Sequence, residues 1–140
     1  MPSRKTRFAV LDTSVYIENF RTGRFARRIL ESTFVPRCSA VVLHELLRGA
    51  RKLVERQFVR DLQRHCRIVT PTERHWIEAA EILAQVRERE RYDVSKVRDL
   101  AFDVLIALSA RSIGATLVTS NEADFRVIGR HVRLDVAFWQ

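Results

Sequence analysis

Short, uninterrupted apolar runs alternate along the chain with longer segments whose apolar positions recur every three or four residues. Phe8-Ala9-Val10-Leu11 has the form of a strand covered on both faces, and Asp12-Thr13-Ser14 then offers helix-capping residues ahead of Val15, Ile17 and Phe20. The pair predicts a strand-to-helix turn. Gly23 closes that helix, and Phe25, Ile29 and Leu30 mark a second. Residues 33–37 form a weak strand candidate, in which Pro36 predicts an edge position or a strand end. Ser39 caps a helix from Ala40, where Val42, Leu43, Leu46, Leu47 and Ala50 share one arc at about 100° per residue and Glu45 projects just outside it. Leu53, Val54, Phe58, Val59 and Leu62 extend a helical pattern over 52–65, and Arg67-Ile68-Val69 reads as a short strand.

Thr70-Pro71-Thr72-Glu73 combines a capping residue, a proline at the first helical position and a glutamate two residues on. It predicts a helix start with Trp76, Ala79, Ala80, Leu83 and Val86 as the apolar face. The charged stretch 87–91, with Asp93, forms the solvated end of that helix and a loop. Leu100, Phe102, Val104, Leu105, Ile106, Leu108 and Ala110 surround a helix on nearly every side, which makes this element central. Gly114 ends it, Ala115-Thr116-Leu117-Val118-Thr119 is a buried strand, and Val132-Arg133-Leu134-Asp135-Val136 alternates as a last edge strand. Strands alternating with helices imply a mainly parallel sheet with right-handed crossovers and helices on both faces, a three-layer α/β/α arrangement. With 140 residues and no repeat or linker, the chain reads as one domain over 1–140.

Composition changes this picture in one direction. The net charge is +8, from 25 Lys+Arg against 17 Asp+Glu, and only Lys5, Lys52 and Lys96 are lysines. Arginine is suited to bidentate phosphate contacts, so a nucleic acid is favoured as a partner over a membrane, against the plain alternative of a solubilising surface. No apolar run approaches the roughly 20 residues of a membrane span. The basic residues 1–7 ahead of Phe8–Leu11 look like the start of a signal peptide, but Asp12 cuts the apolar stretch short, and a cytoplasmic protein is expected. Cys38 and Cys66 are not in a metal-type spacing and read as free thiols.

The candidate chemistry lies in acids set beside apolar segments: Asp12, Glu45, Asp103 and Asp124. A carboxylate withdrawn from water costs several kcal/mol unless it gains a partner. Taken singly, Asp12 is explained as a helix cap, Glu45 as an exposed helical acid, and Asp99 and Asp103 as acids at the positive end of the central helix. Taken together, the rule that sites form beyond the carboxyl ends of parallel strands brings the segments after Leu11 and Thr119 into one place. Three or four carboxylates gathered there need protons or a cation, and oxygen-only ligands select Mg²⁺ or Mn²⁺. No Cys/His set competes for zinc.

Four pieces in this order and spacing carry a resemblance: Leu11-Asp12-Thr13-Ser14-Val15; Ser39 with Glu45-Leu46 and Gly49; Asp103-Val104-Leu105-Ile106-Ala107 with Ala110; and Val118-Thr119-Ser120-Asn121 with Asp124-Phe125. The chain resembles the PIN-domain ribonucleases, particularly VapC-type toxins of toxin–antitoxin pairs, over essentially its whole length. The resemblance implies a PIN-like fold and assigns Asp12, Glu45, Asp103 and Asp124 to the metal-binding acids, with Asp99 as an additional candidate. It implies an endoribonuclease that hydrolyses RNA phosphodiesters with Mg²⁺ or Mn²⁺. It also implies a homodimer and a cognate antitoxin that occludes the acidic cleft, often with a basic side chain among the carboxylates. Ser120 departs from the pattern, because arginine is common there.

Thr13, Ser14, Thr119 and Asn121 are candidates for orienting the acids, as outer groups do at metal sites, with caps and strand-end turns as the alternative. Arg21, Arg24, Arg48 and Arg51 are the candidate RNA-backbone contacts nearest in sequence. No histidine has a carboxylate or serine at motif spacing, so none is assigned a catalytic role. A haloacid-dehalogenase-type phosphotransferase would need an aspartate where Ser14 stands, and a receiver domain a lysine after the late strand. The competing readings within the resemblance are a general RNA-processing PIN nuclease and a non-catalytic PIN-like RNA-binding or interaction module.

Overall fold

The computed structural model describes residues 7–140, so residues 1–6, most of the basic segment weighed above as a secretion signal, lie outside the described residues. In chain order the elements are β1 (Phe8–Leu11), α1 (Thr13–Thr22), α2 (Ala26–Glu31), β2 (Val35–Ser39), α3 (Ala40–Gly49) and α4 (Leu53–His65). They continue with β3 (Arg67–Val69), α5 (Glu73–Glu90), α6 (Val94–Ser112), β4 (Thr116–Thr119), α7 (Glu122–Gly129) and β5 (Asp135–Phe138). The five strands make one sheet in the order β3-β2-β1-β4-β5, flanked by helices. Every pairing is parallel, where a mainly parallel sheet was expected.

Side chains alternate between the faces of a strand, so consecutive buried residues mean that both faces are covered. Ala9, Val10 and Leu11 of β1 and all of β4 are buried. The chain steps outward from β1 to β2 and β3, then returns to the other side of β1 as β4. This reversal leaves the carboxyl ends of β1 and β4 adjacent, at the crevice where such sheets take ligands. Leu11 lies opposite Val118, and the Asp12 N–H donates to the Val118 carbonyl at 2.8 Å.

Pro36 sits in an interior strand, not at an edge. The Val35 N–H donates to the Arg7 carbonyl on the β1 side, so by strand alternation the Pro36 nitrogen faces β3. Pairing with β3 begins only at Arg37, opposite Arg67. The proline therefore removes a donor where no acceptor strand has yet started. The strand itself runs two residues later than the sequence pattern indicates, and β5 likewise starts at Asp135, three residues beyond the predicted Val132.

Two helices differ from expectation. α5 begins at Glu73 with Thr72 as its cap: the Thr72 hydroxyl accepts the His75 N–H at 3.2 Å, and His75 Nδ1 accepts the Thr72 N–H at 3.0 Å. This reciprocal box sets the buried face as His75, Ala79, Ile82 and Val86, and leaves Trp76 55% exposed. α6 begins at Val94, with the Asp93 carboxylate accepting the Lys96 N–H at 2.8 Å. Asp99 and Asp103 are then mid-helix residues, and the helix-start explanation of their charges does not apply.

Leu100, Val104, Leu105, Ile106 and Leu108 of α6 are all but inaccessible, and each such burial stabilises by roughly 1.5–3 kcal/mol. Ser39 caps α3 by accepting the Val41 N–H at 3.1 Å. The helix buries Val41, Val42 and Leu46, while Leu47, predicted on the buried arc, is exposed, as are Leu53 and Val54 at the start of α4. Cys38 and Cys66 are free. Among the described residues no helix is long and apolar enough to cross a membrane.

Candidate metal centre

Asp12 follows β1 and occupies the cap position of α1, yet its side chain makes no capping bond. Instead its Oδ2 accepts the Ser14 hydroxyl at 2.8 Å and the Thr119 hydroxyl at 2.9 Å. The residue is 3% exposed, and its Oδ1 is buried with no hydrogen-bond partner among the described residues. Burial pushes its carboxyl up, against the two hydroxyls and, to a smaller extent, the Thr13 and Ser14 backbone N–H groups, which hold it down. A network draws the β1 and β4 ends together around it: the Ser14 hydroxyl accepts the Ser120 N–H at 3.1 Å, and the Thr119 hydroxyl accepts the Asn121 N–H at 3.0 Å.

Glu45 is half-buried on α3, and its Oε1 accepts the Thr13 hydroxyl at 2.8 Å. Burial raises its carboxyl, the Thr13 bond opposes this, and the Asp12 charge raises it further; Arg48 and His44 act the other way. Asp103 projects from α6 into the same region. Its carboxyl is pushed up to about 8, first by burial and then by the charges of Asp12, Glu45 and Asp124, with the Lys96 ammonium opposing. Four acids distant in sequence are thus within mutual electrostatic reach. Like charges so close favour protons or a cation.

Asp124 lies in the first turn of α7, capped by Asn121. Its Oδ1 takes the Lys96 ammonium at 3.0 Å and its Oδ2 the Asn121 side-chain amide at 3.0 Å. Asp99 is exposed on α6, and its charge acts on Lys96. The Arg48 guanidinium packs over the Phe102 ring, 5.8 Å from its centroid, and its charge acts on Glu45. Arg24 and Arg21 approach Glu18 at 3.5 and 3.9 Å, and Arg51 is exposed between α3 and α4. Ser120 keeps a buried hydroxyl without a partner among the described residues.

Sequence reasoning missed Lys96. Its signal was the Asp93 cap, which places Lys96, Asp99 and Asp103 at three- and four-residue steps along one helix face. The polar first turns of α6 hid that cap inside what read as a loop.

Among the described residues no group of three or more Asp, Glu, His or Cys side chains is gathered tightly enough, as placed, to hold a metal ion. The chemistry of the set nonetheless fits a hard divalent ion: the donors are carboxylates and hydroxyls, and the orphaned Asp12 Oδ1 is a buried acceptor in need of a positive partner. Asp12, Glu45 and Asp103, with Asp124 beside them, are the residues that would hold it.

Residues 9–131 match the PIN domain family. No curated protein is similar enough in sequence to count as a relative. The fold matches VapBC-1 from nontypeable Haemophilus influenzae at 20% identity and a TM-score of 0.69, over 94% of this chain and 98% of that one. It matches DNA-bound VapBC from Salmonella typhimurium at 21% identity and 0.70, over 96% and 99%. It also matches VapBC-5 from Mycobacterium tuberculosis, a member of the VapBC family of toxin–antitoxin systems, at 20% and 0.60, over 94% and 98%. These neighbours are VapC toxins of VapBC complexes, and at such identities the likeness is one of fold. On the extent of the family match, with acids brought together at the carboxyl ends of β1 and β4, the chain belongs to the PIN-domain family.

Proposed function

We propose that this chain is a metal-dependent endoribonuclease acting as the toxin of a toxin–antitoxin pair in the cytoplasm, built as a single PIN domain over 1–140. The observation that carries the reading is the Asp12 Oδ1, a buried carboxylate oxygen without a partner among the described residues and beside other acids. Asp12, Glu45, Asp103 and Asp124 supply the negative charge that attracts Mg²⁺ or Mn²⁺, and oxygen ligands for it come from among them. When bound, such an ion lowers the pKa of water and polarises a phosphoryl oxygen.

The other roles belong to the chain itself. Ser14 and Thr119 fix Asp12, Thr13 fixes Glu45, and Asn121 fixes Asp124, so the acids keep their orientation when charge changes at the site. Arg48, held over Phe102 beside Glu45, neutralises RNA backbone that the acids alone would repel, and Arg21, Arg24 and Arg51 extend the basic approach. Asp99 adds a negative charge near Lys96, whose main partner is Asp124, and stays outside the ligand set.

The partner of this reading is a cognate antitoxin. An apolar cavity of about 400 Å³ opens between the sheet and α1, α2 and α4, lined by Tyr16, Phe20, Ile29, Leu30, Phe58 and Leu62, with Leu30 85% exposed. That groove would seat an apolar segment of the antitoxin, whose basic residues would reach the acids, and a second copy of the chain would complete a homodimer. VapBC proteins of the same fold crystallise as complexes, which supports the reading.

The test uses purified protein, a structured RNA and Mg²⁺ or Mn²⁺. Cleavage is expected with the ion and none with chelator, and expression is expected to arrest growth until a small neighbouring protein is supplied. Cleavage that persists in chelator would sink the metal mechanism. A chain that cleaves RNA without arresting growth would be a general RNA-processing nuclease, and one that only binds RNA a non-catalytic module.

A further inference from the structure

The four acids are not equivalently provided for. Asp12 Oδ1 is buried without a partner among the described residues, and Asp103 carries the repulsion of three neighbouring carboxylates. Both Asp124 oxygens, in contrast, already have donors from the chain: the Lys96 ammonium at 3.0 Å and the Asn121 amide at 3.0 Å. Lys96 is held at this place by its helix. It lies in the first turn of α6, fixed by the Asp93 cap on its own N–H, two turns before Asp103 on the same helix. Its ammonium lies 5.8 Å from the centre of the Tyr92 ring, and the exposed Asp99 one turn on adds a negative charge.

We propose that Lys96 is the resident cation of the Asp124 side of the cluster and limits the site to one divalent ion, held by Asp12, Glu45 and Asp103. The inference rests on the metal-dependent reading above and deepens it. A bound divalent ion displaces the proton that burial and repulsion keep on Asp103, so in the metal-bound state the four carboxylates carry four negative charges, of which the Lys96 ammonium offsets one. One divalent ion leaves a single negative charge, so a second would overshoot neutrality and gain little attraction. It would also have to displace an ammonium already at ion-pair distance from Asp124. Without the lysine, two divalent ions would neutralise the four carboxylates in full. Lys96 is thus a positioning residue that fixes how many metals the acids take and keeps Asp124 turned toward α6.

Mn²⁺ binding to the full-length protein, followed by electron paramagnetic resonance of the free ion, tests this directly. Wild type is expected to bind one Mn²⁺ per chain. Lys96→Met is expected to bind two, and Lys96→Arg, which keeps the charge, to stay at one. Circular dichroism of each variant checks folding, and Lys96→Gln replaces Lys96→Met if the latter does not fold. Wild type that binds two ions, or charge-removing variants that still bind one, would overturn the proposal. No Mn²⁺ binding by any form would overturn it together with the metal-dependent reading. RNA left uncut despite one ion per wild-type chain and two per Lys96→Met chain would overturn the nuclease reading alone and support the role of Lys96.

Discussion

Helix α1 joins two regions that are incomplete in opposite ways. At its amino end Thr13 and Ser14 hold Glu45 and Asp12, acids that have lost water without gaining enough positive charge. Within the next two turns, Tyr16, Asn19 and Phe20 line an apolar groove in which Leu30 stands in solvent. The first region calls for a cation and the second for an apolar surface. On the proposed reading one short helix therefore joins the metal-binding acids to the antitoxin's face, and a perturbation confined to one end should leave the other working.

The sharpest separation is expected from Asp103→Asn. It removes one carboxylate charge from the centre of the cluster, and metal-dependent RNA cleavage should fall by at least ~100-fold, the scale of losing an electrostatic group at a reacting centre. Binding in the groove of an apolar partner segment that carries no basic side chain should stay at the wild-type value, read by calorimetry. Retained cleavage would remove Asp103 from the site. Equal loss of both functions would mean that the two regions are not independent.

The converse variant places charge in the groove. Leu30→Asp combined with Phe20→Asp should weaken partner binding by about 30-fold or more, as for a truncated apolar anchor, while RNA cleavage by the free protein is unchanged. Both side chains are already substantially exposed, so the free fold should tolerate the change. Undiminished association would place the partner on another face.

A third contrast is in pH. Asp103 holds its proton to about 8 in the folded protein, against an ordinary value of 3.8 when unfolded, and Asp12 and Glu45 shift in the same direction. Between these values the folded state binds more protons than the unfolded one, so stability of metal-free protein falls as pH rises from about 4 towards 8. Melting temperature in chelator should drop by several degrees over that window, and saturating Mg²⁺ should flatten the slope. Asp103→Asn should melt higher than wild type at pH 8 without metal. A melting temperature that rises through the window would contradict the buried cluster.

The two regions also differed in how far the sequence disclosed them. Capping residues after a short apolar run located the turn that carries Asp12, and strand order brought it beside Thr119. Those signals are local and chemical. Of the two readings of Pro36, the edge fails and the strand end holds: its missing donor falls at the start of β2, one residue before pairing with the neighbour strand begins. The face of α5 misled because His75, a polar residue, was used as a cap and then buried. Lys96 was hidden because the first turns of α6 are polar, and its pairing with Asp124 depends on two elements 28 residues apart. The groove was least legible, since Phe20 and Leu30 look like core in a periodic pattern and only the packed fold reveals that nothing in the described chain covers them.

The smallest effect comes from the hydroxyls that tie α1 to the acids. Thr13→Val keeps the shape of the side chain and deletes its 2.8 Å bond to Glu45. The carboxyl of Glu45 then has one fewer group opposing the effect of burial, so it holds a proton more readily and competes less well for a cation. Mn²⁺ affinity should fall by up to about tenfold, at the low end for an outer-shell group, and global stability should change by about 1 kcal/mol or less. Partner binding at Tyr16 and Phe20 should not move, because the helix backbone that presents them is untouched. Restored Mn²⁺ affinity in Thr13→Ser, which returns the donor without the methyl group, would assign the loss to the hydrogen bond; a variant as weak as Thr13→Val would assign it to packing at the start of α1.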